Sequence, residues 1–239
     1  MFKLFKKEPR TSGLGLRFKA GDDHYRSFVG PPKNYDLIAA MTFNLLTCAG
    51  LRQHHKLIDI GCGSLRIARL LIPYLNVGNY IGIEPNRWLV EDGIMNETGW
   101  DQIKLKKPIF SYRDSLTEFE QPIHADYAVA QSIFSHCGLD LMNSWLQQVS
   151  IHLKPTGGLF ATFLNGETDY QGTGWVYPRS VKYKAETIRI IAEKNGMKFI
   201  PINWMHPSQS WALFAKKDHD LSHIKDGTLS WNNLFEHNQ

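Results

Sequence analysis

Apolar side chains recur along the chain with two different periods, and the way those periods alternate outlines the fold. From Asn34 to Ala49, Leu37, Ile38, Met41, Leu45 and Leu46 follow one face of a helix, which Gly50 ends. Lys56 to Ile60 is a short apolar run closing on Gly61-Cys62-Gly63, and Leu65 to Leu75 returns to helical spacing through Ile67, Leu70, Leu71 and Leu75. The order repeats. Tyr80 to Ile83 closes on Glu84 and Pro85, and a helix follows over Trp88 to Met95. Pro108 to Tyr112 reads as a third strand, Asp126 to Gln131 as a fourth with a helix from Leu139 to Leu153, and Gly158 to Leu164 as a fifth with a helix from Ala185 to Lys194. Such alternation predicts an α/β fold with a doubly wound, mostly parallel sheet. Lys198 to Trp204 and Ser210 to Lys216 are both strand-like, and the loop between them is too short for a crossover. They must pair antiparallel, which puts one antiparallel strand near the sheet edge.

With 239 residues, 43% of them hydrophobic and 21% charged, the chain has the make-up of one substantial globular domain. Cys48, Cys62 and Cys137 are too few and too scattered for a disulfide framework or a zinc site, so a reduced, cytoplasmic setting is expected. No run of about 18 apolar residues exists, and Lys3, Lys6 and Lys7 interrupt the only apolar start a signal peptide could use. The net charge of +4 is concentrated at one end. Residues 1–20 hold Lys3, Lys6, Lys7, Arg10, Arg17 and Lys19 against Glu8 alone, a balance of +5 that leaves the remaining chain at −1. A nearly neutral body disfavours a nucleic-acid backbone as partner. The expected organisation is a basic extension over 1–20, a main domain over 21–217 with a lid loop at 166–184, and an appendage over 218–239.

In an open parallel sheet, ligands bind beyond the C-terminal strand ends at the switch point, and the turn after the first strand lies there. Asp59, Gly61, Cys62, Gly63 and Ser64 occupy that turn. The next strand ends in Glu84, 25 positions after Asp59, where a carboxylate can accept the hydroxyls of a ribose. A dinucleotide fingerprint needs a further glycine, but Arg66 stands at that place, which disfavours a nicotinamide or flavin.

These segments resemble the class I S-adenosylmethionine-dependent methyltransferases. LIDIGCGSLR at 57–66 is similar to the first motif of that family, with Leu65 where a third glycine often lies, and YIGIEPN at 80–86 is similar to the next. Asp114 and Ser115 fall where the adenine-contacting loop is expected. AVAQSIFSH at 128–136 resembles the strand-four motif, and LKPTGGLFATF at 153–163 the turn into strand five. The resemblance implies a Rossmann-like, seven-stranded sheet with an antiparallel C-terminal strand. It also implies S-adenosyl-L-methionine as cofactor, held by Asp59, Gly61, Cys62, Gly63, Ser64, Glu84, Asp114, Ser115 and Gln131.

A sulfonium is already activated, so few residues need act on the acceptor beyond one that removes a proton. His136, just after the fourth strand, is the first candidate; Glu167 and Asp169, after the fifth, are its rivals. The Pro-Pro-Tyr signature of amide and base N-methyltransferases is replaced by Gln131-Ser132-Ile133-Phe134, and no acid pair marks a magnesium site. Metal-independent transfer to an oxygen or amine of a small molecule, such as a sugar or secondary metabolite, is expected. Tyr25 and Tyr35 in the entry segment and Tyr170 and Trp175 in the lid loop are the candidate substrate contacts, with His24, Tyr177 and Tyr183 nearby. A protein or RNA methyltransferase and a catalytically silent cofactor-binding module remain alternatives. The oligomeric state is not legible.

Overall fold

The computed structural model describes residues 13–225 and 229–230. Its strands are β1 (Leu57–Ile60), β2 (Tyr80–Ile83), β3 (Ile109–Ser111), β4 (Ala125–Ala130), β5 (Leu153–Phe163), β6 (Lys198–Ile202) and β7 (Ser210–Ala215). All belong to one sheet of order β3-β2-β1-β4-β5-β7-β6. β1 to β5 pair in parallel, and β7 inserts antiparallel between β5 and β6. The doubly wound sheet read from the sequence is therefore present, with its single reversed strand one place in from the edge.

The helices are α1 (Tyr35–Cys48), α2 (Ala68–Tyr74), α3 (Arg87–Gly93), α4 (Trp100–Lys106), α5 (Leu139–His152), α6 (Ala185–Lys194) and α7 (Ser222–Lys225). Most element boundaries lie within two residues of those the pattern predicts, and three larger departures have a physical reason. The helix expected from Leu65 begins at Ala68, because Gly61, Gly63 and Leu65 turn through left-handed backbone at φ 66°, 53° and 63°. Leucine resists that region by roughly 1–2 kcal/mol, and its complete burial among the α1 and α2 side chains holds it there. None of the residues of α4 is fully buried, and its contact with the core through the half-buried Ile103 is too narrow a stripe to read. β5 starts at Leu153 rather than Gly158 because a bulge opposite β4 accommodates the Pro-Thr-Gly segment within the strand.

Strand alternation sorts the core into two layers. Ile58, Ile60, Ile81, Ile83, Ala128 and Ala130 face Leu146 and Val149 of α5 and Ile188 of α6. Leu57, Tyr80, Tyr127 and Val129 face Leu45 and Leu46 of α1 and Leu71 of α2. Asp59 shares the second parity and is carried away from the strand ends into that layer. Leu229 is buried there too. Residues 1–12 of the expected basic extension, and 226–228 and 231–239 of the expected appendage, lie outside the described residues. Residues 13–20 run onto the body, where the Phe18 ring stacks on His24 at 5.1 Å.

A buried ion-pair network fastens this entry segment down. Glu97, in the π turn Ile94–Thr98 after α3, accepts from Arg26 Nη2 at 2.6 Å, Arg69 Nη1 at 3.1 Å and the Tyr25 hydroxyl at 2.9 Å. Asp36 bridges the same two arginines at 3.1 and 2.6 Å, and the Arg26 guanidinium lies 4.5 Å from the centre of the Tyr35 ring. Removing one member of such a network leaves buried charge without compensation. Glu97→Ala is expected to lower the unfolding free energy in urea by about 3–5 kcal/mol; a loss below about 1 kcal/mol would show that the network does not anchor the segment.

Candidate active site

A cavity of about 700 Å³ opens beyond the C-terminal ends of β1 and β4, within the range of roughly 300–1,000 Å³ that small-molecule sites occupy. Its floor is the turn after β1. The Gly63 amide donates to Glu84 Oε2 at 3.1 Å, while Glu84 Oε1 accepts from the Asn86 amide at 2.9 Å and from its side-chain nitrogen at 2.8 Å. Burial raises the Glu84 pKa, and these three donors pull the other way. Gly61, Gly63, Glu84, Asn86 and Leu89 all line the cavity, with Asp114 at an exposed position beyond β3.

The opposite wall joins β4 to the β6–β7 loop. Gln131 directly follows β4, its side-chain oxygen accepts from Arg66 Nη2, and its side-chain nitrogen lies 2.9 Å from Ser132 Oγ and 3.1 Å from His206 Nε2. His206 Nδ1 accepts from the amides of Ser208 and Gln209 at 3.2 and 3.0 Å. Burial, with the Arg66 charge adding to it, depresses the His206 pKa to about 4, so this ring is neutral at pH 7.

His136 closes the short 3-10 turn Phe134–His136 and lines the same cavity. Its Nδ1 lies 2.8 Å from the Arg179 carbonyl oxygen. A carbonyl can only accept, so Nδ1 carries the proton and the neutral ring keeps a lone pair on Nε2. Burial lowers the His136 pKa from its ordinary 6.5, which keeps that lone pair available at neutral pH. The Tyr177 and Trp175 rings flank it edge-on at 4.9 and 5.9 Å.

The loop at 166–184 crosses the cavity mouth but is well tied. Val176 and Val181 amides donate to the His136 and Ser135 carbonyls at 2.8 and 2.9 Å, Trp175 forms a β-bridge with Cys137, and the Tyr183 hydroxyl donates to the Cys137 carbonyl at 2.8 Å. From the other side Ala20, Phe28, Val29 and Pro31 of the entry segment complete the wall, with the Phe28 ring 6.1 Å from Tyr177.

Of the residues singled out from the sequence, Gly61, Gly63, Glu84, Asp114, Gln131, His136 and Trp175 line the cavity. The structure places the others away from the cavity lining, each for a physical reason. Asp59 turns into the α1–α2 layer, where it accepts from the Tyr80 hydroxyl at 2.7 Å, and Cys62 packs beside the same tyrosine. Ser64 is fully buried against the Tyr35 hydroxyl, so both are structural. Tyr25 belongs to the Glu97 network, and Tyr170 accepts from Arg179 while packing on the α5–α6 layer. Ser115 bonds Thr117, and Glu167 is exposed on the loop. Neither reaches the cavity lining. Tyr177, named with the lid aromatics, lines it too, and Arg66, Asn86, His206 and Gln209 line it and were not expected. The last two had a signal: a hairpin whose first strand runs with the parallel set delivers its loop to the ligand side of the sheet.

No protein-family model matches the chain, and no curated protein matches its sequence. Solved structures do match. The PH0226 protein of Pyrococcus horikoshii OT3 superposes with a TM-score of 0.59 at 14% identity, over 77% of this chain and 92% of that one. The magnesium protoporphyrin IX methyltransferase of Synechocystis PCC 6803, solved with bound S-adenosylhomocysteine, gives 0.55 at 14%, over 77% and 83%. Human N-acetylserotonin methyltransferase, solved in complex with S-adenosylmethionine, gives 0.55 at 14%, over 80% and 54%. The chain has the class I methyltransferase fold. At such identities the likeness carries over the path of this methyltransferase fold and not its side chains, so the roles of residues rest on the geometry above.

Asp59 supplies a test of that geometry. Burial pushes its pKa up to about 7, against about 3.9 in an unfolded chain. A raised value means that the fold favours the neutral acid. This contribution is complete below about pH 4, declines as pH rises, and is gone above about 7. Asp59→Asn keeps an acceptor for Tyr80 without a charge, so relative to the parent it should gain on the order of 4 kcal/mol between pH 4 and pH 8 in urea unfolding. A difference that does not change with pH would refute the buried-acid assignment.

Proposed function

We propose that the cavity binds S-adenosylmethionine and that the protein transfers its methyl group to an oxygen or amine of a small molecule. The observation that carries this reading is Glu84, a buried carboxylate at the end of β2 beside the glycine turn and facing a small-molecule cavity. An ionised carboxylate has about four acceptor positions, and three are filled by Gly63 and Asn86. The remaining one, on Oε2, can take a ribose hydroxyl while every protein bond is kept; a second hydroxyl would displace the Asn86 side chain. The residues present therefore fit a nucleoside. Asp114 and Leu89 line the adjoining wall and would receive the base.

When bound, this cofactor supplies a methyl group activated on a sulfonium. The chain's own contribution is to orient, to exclude water and to hold a proton. The Nε2 lone pair of His136 takes the proton of an acceptor hydroxyl or ammonium, and its Nδ1–H stays on the Arg179 carbonyl throughout. Tyr177 and Trp175 offer aromatic faces to a planar or sugar-like acceptor beside that nitrogen. Enclosure of the cavity by the entry segment and the 175–180 stretch favours a small acceptor over a polymer.

Calorimetry with S-adenosylmethionine and S-adenosylhomocysteine, with nicotinamide dinucleotides as controls, tests the cofactor. Micromolar binding of the sulfonium pair alone is expected. Glu84→Ala should weaken it roughly 10- to 100-fold, the worth of charge-assisted hydrogen bonds of about 1.5–3 kcal/mol; unchanged affinity would sink the role of Glu84.

For the base, His136→Gln should bind the cofactor normally yet lose roughly 10²- to 10⁴-fold in methyl transfer. Because its pKa is lowered, the parent rate should fall on the acid side only at a lower pH than an ordinary histidine base would give, as Nε2 becomes protonated. The variant should lack that limb. Full turnover in the variant, or a limb that persists, would remove His136 as the base.

A further inference from the structure

Arg66 is the one cavity residue whose charge the reading above leaves without use. It is 7% exposed and lines the cavity, yet no carboxylate among the described residues reaches salt-bridge distance from it. Nη1 donates to the Val29 carbonyl at 3.0 Å, Nη2 to the Gln131 side-chain oxygen, and Nε, also buried, has no partner. Arg26 is buried to the same degree and is matched by both Asp36 and Glu97. The fold thus supplies acids for one buried guanidinium and only neutral oxygens for the other. A buried cation without a counter-ion costs several kcal/mol. Burial accordingly depresses the Arg66 pKa, although the residue keeps its charge.

The groups that face Arg66 do not relieve it. Asp59 is the acid whose field it feels, but that carboxyl is itself pushed toward its neutral form and is spent on Tyr80. Tyr35 and Tyr177 are phenols whose pKa values burial raises, and His206 is neutral. Gln131 and Gln209 are amides, and the Gln209 side-chain oxygen is buried without a partner. The wall is therefore polar, cationic and short of one negative charge.

We propose that Arg66 is the carboxylate receptor of this cavity: a planar carboxylate carried in by a ligand is its counter-ion. A guanidinium fork matches the two oxygens of such a group, which a lone ammonium does not. This inference rests on the cavity being a ligand site as assigned above. Two ligands could bring the group, the amino-acid end of the cofactor or an acidic acceptor, and the test separates them.

The full chain and its Arg66→Gln variant are titrated by calorimetry with S-adenosylhomocysteine and with its decarboxylated counterpart. Each protein saturated with S-adenosylhomocysteine is then titrated with benzoate and with benzamide. If the cofactor brings the carboxylate, the parent prefers S-adenosylhomocysteine tenfold or more over the decarboxylated form, and the variant does so by less than threefold. If an acceptor brings it, the parent prefers benzoate tenfold or more over benzamide, and the variant loses that preference. A parent with neither preference, or a variant that keeps one, overturns the proposal. Arg66→Lys, which keeps the charge without the fork, replaces the glutamine variant if the latter does not fold, and should retain only part of the preference. A parent that binds neither cofactor form refutes the cofactor reading instead, and the benzoate pair, run on the free protein, then decides on Arg66.

Discussion

Everything around the cavity depends on how little room surrounds the turn after β1. A Cβ on Gly61 would lie 2.2 Å from Ile133 Cδ1, and one on Gly63 would lie 2.7 Å from Val29 Cγ1. The segment after β4 and the entry segment therefore close on the turn only because these positions have no side chain. The same bend needs left-handed backbone at both, and at Leu65 as well. Sterics and conformation thus impose one requirement together. It brings β1, β2, β4 and the entry segment to a single point, and the ligand space is what remains between them.

Electrostatics then divides the acids and bases there by depth. Asp59 lies within β1 opposite Gly82, while Glu84 stands two positions past that partner and beyond the end of β2, so the two share a strand face but not a depth. Glu84 meets three donors at the strand ends, and Asp59 meets one phenol inside a core layer. The first retains an acceptor position for a ligand and the second does not. The histidines divide similarly. His206 is fixed with Nδ1 as acceptor and His136 with Nδ1 as donor, so the hairpin loop contributes a neutral polar wall and the β4 loop a lone pair.

Much of this was legible from residue order. The strand ends, the reversed terminal pair and the pairing of a glycine turn with Glu84 depend on local period and spacing, which a sequence displays. What stayed hidden depends on contacts between distant segments. Tyr25 and Tyr35 look like entry aromatics until Glu97, 72 positions on from Tyr25, claims the first and Ser64 the second. Tyr170 and Tyr177 belong to one composition-biased loop, but only the second faces the cavity. α4 has too narrow a core contact to betray it. Arg66 was visible only as a missing glycine, since its isolation from acids is a property of the packed state.

The loop over the cavity holds His136 twice, by the Val176 amide on its carbonyl and by the Arg179 carbonyl on its ring. Lifting residues 175–179 to admit an acceptor would release Nδ1, and the imidazole could then place its proton on either nitrogen. The seating of residues 175–179 and the tautomer of His136 are therefore one property of the structure and not two.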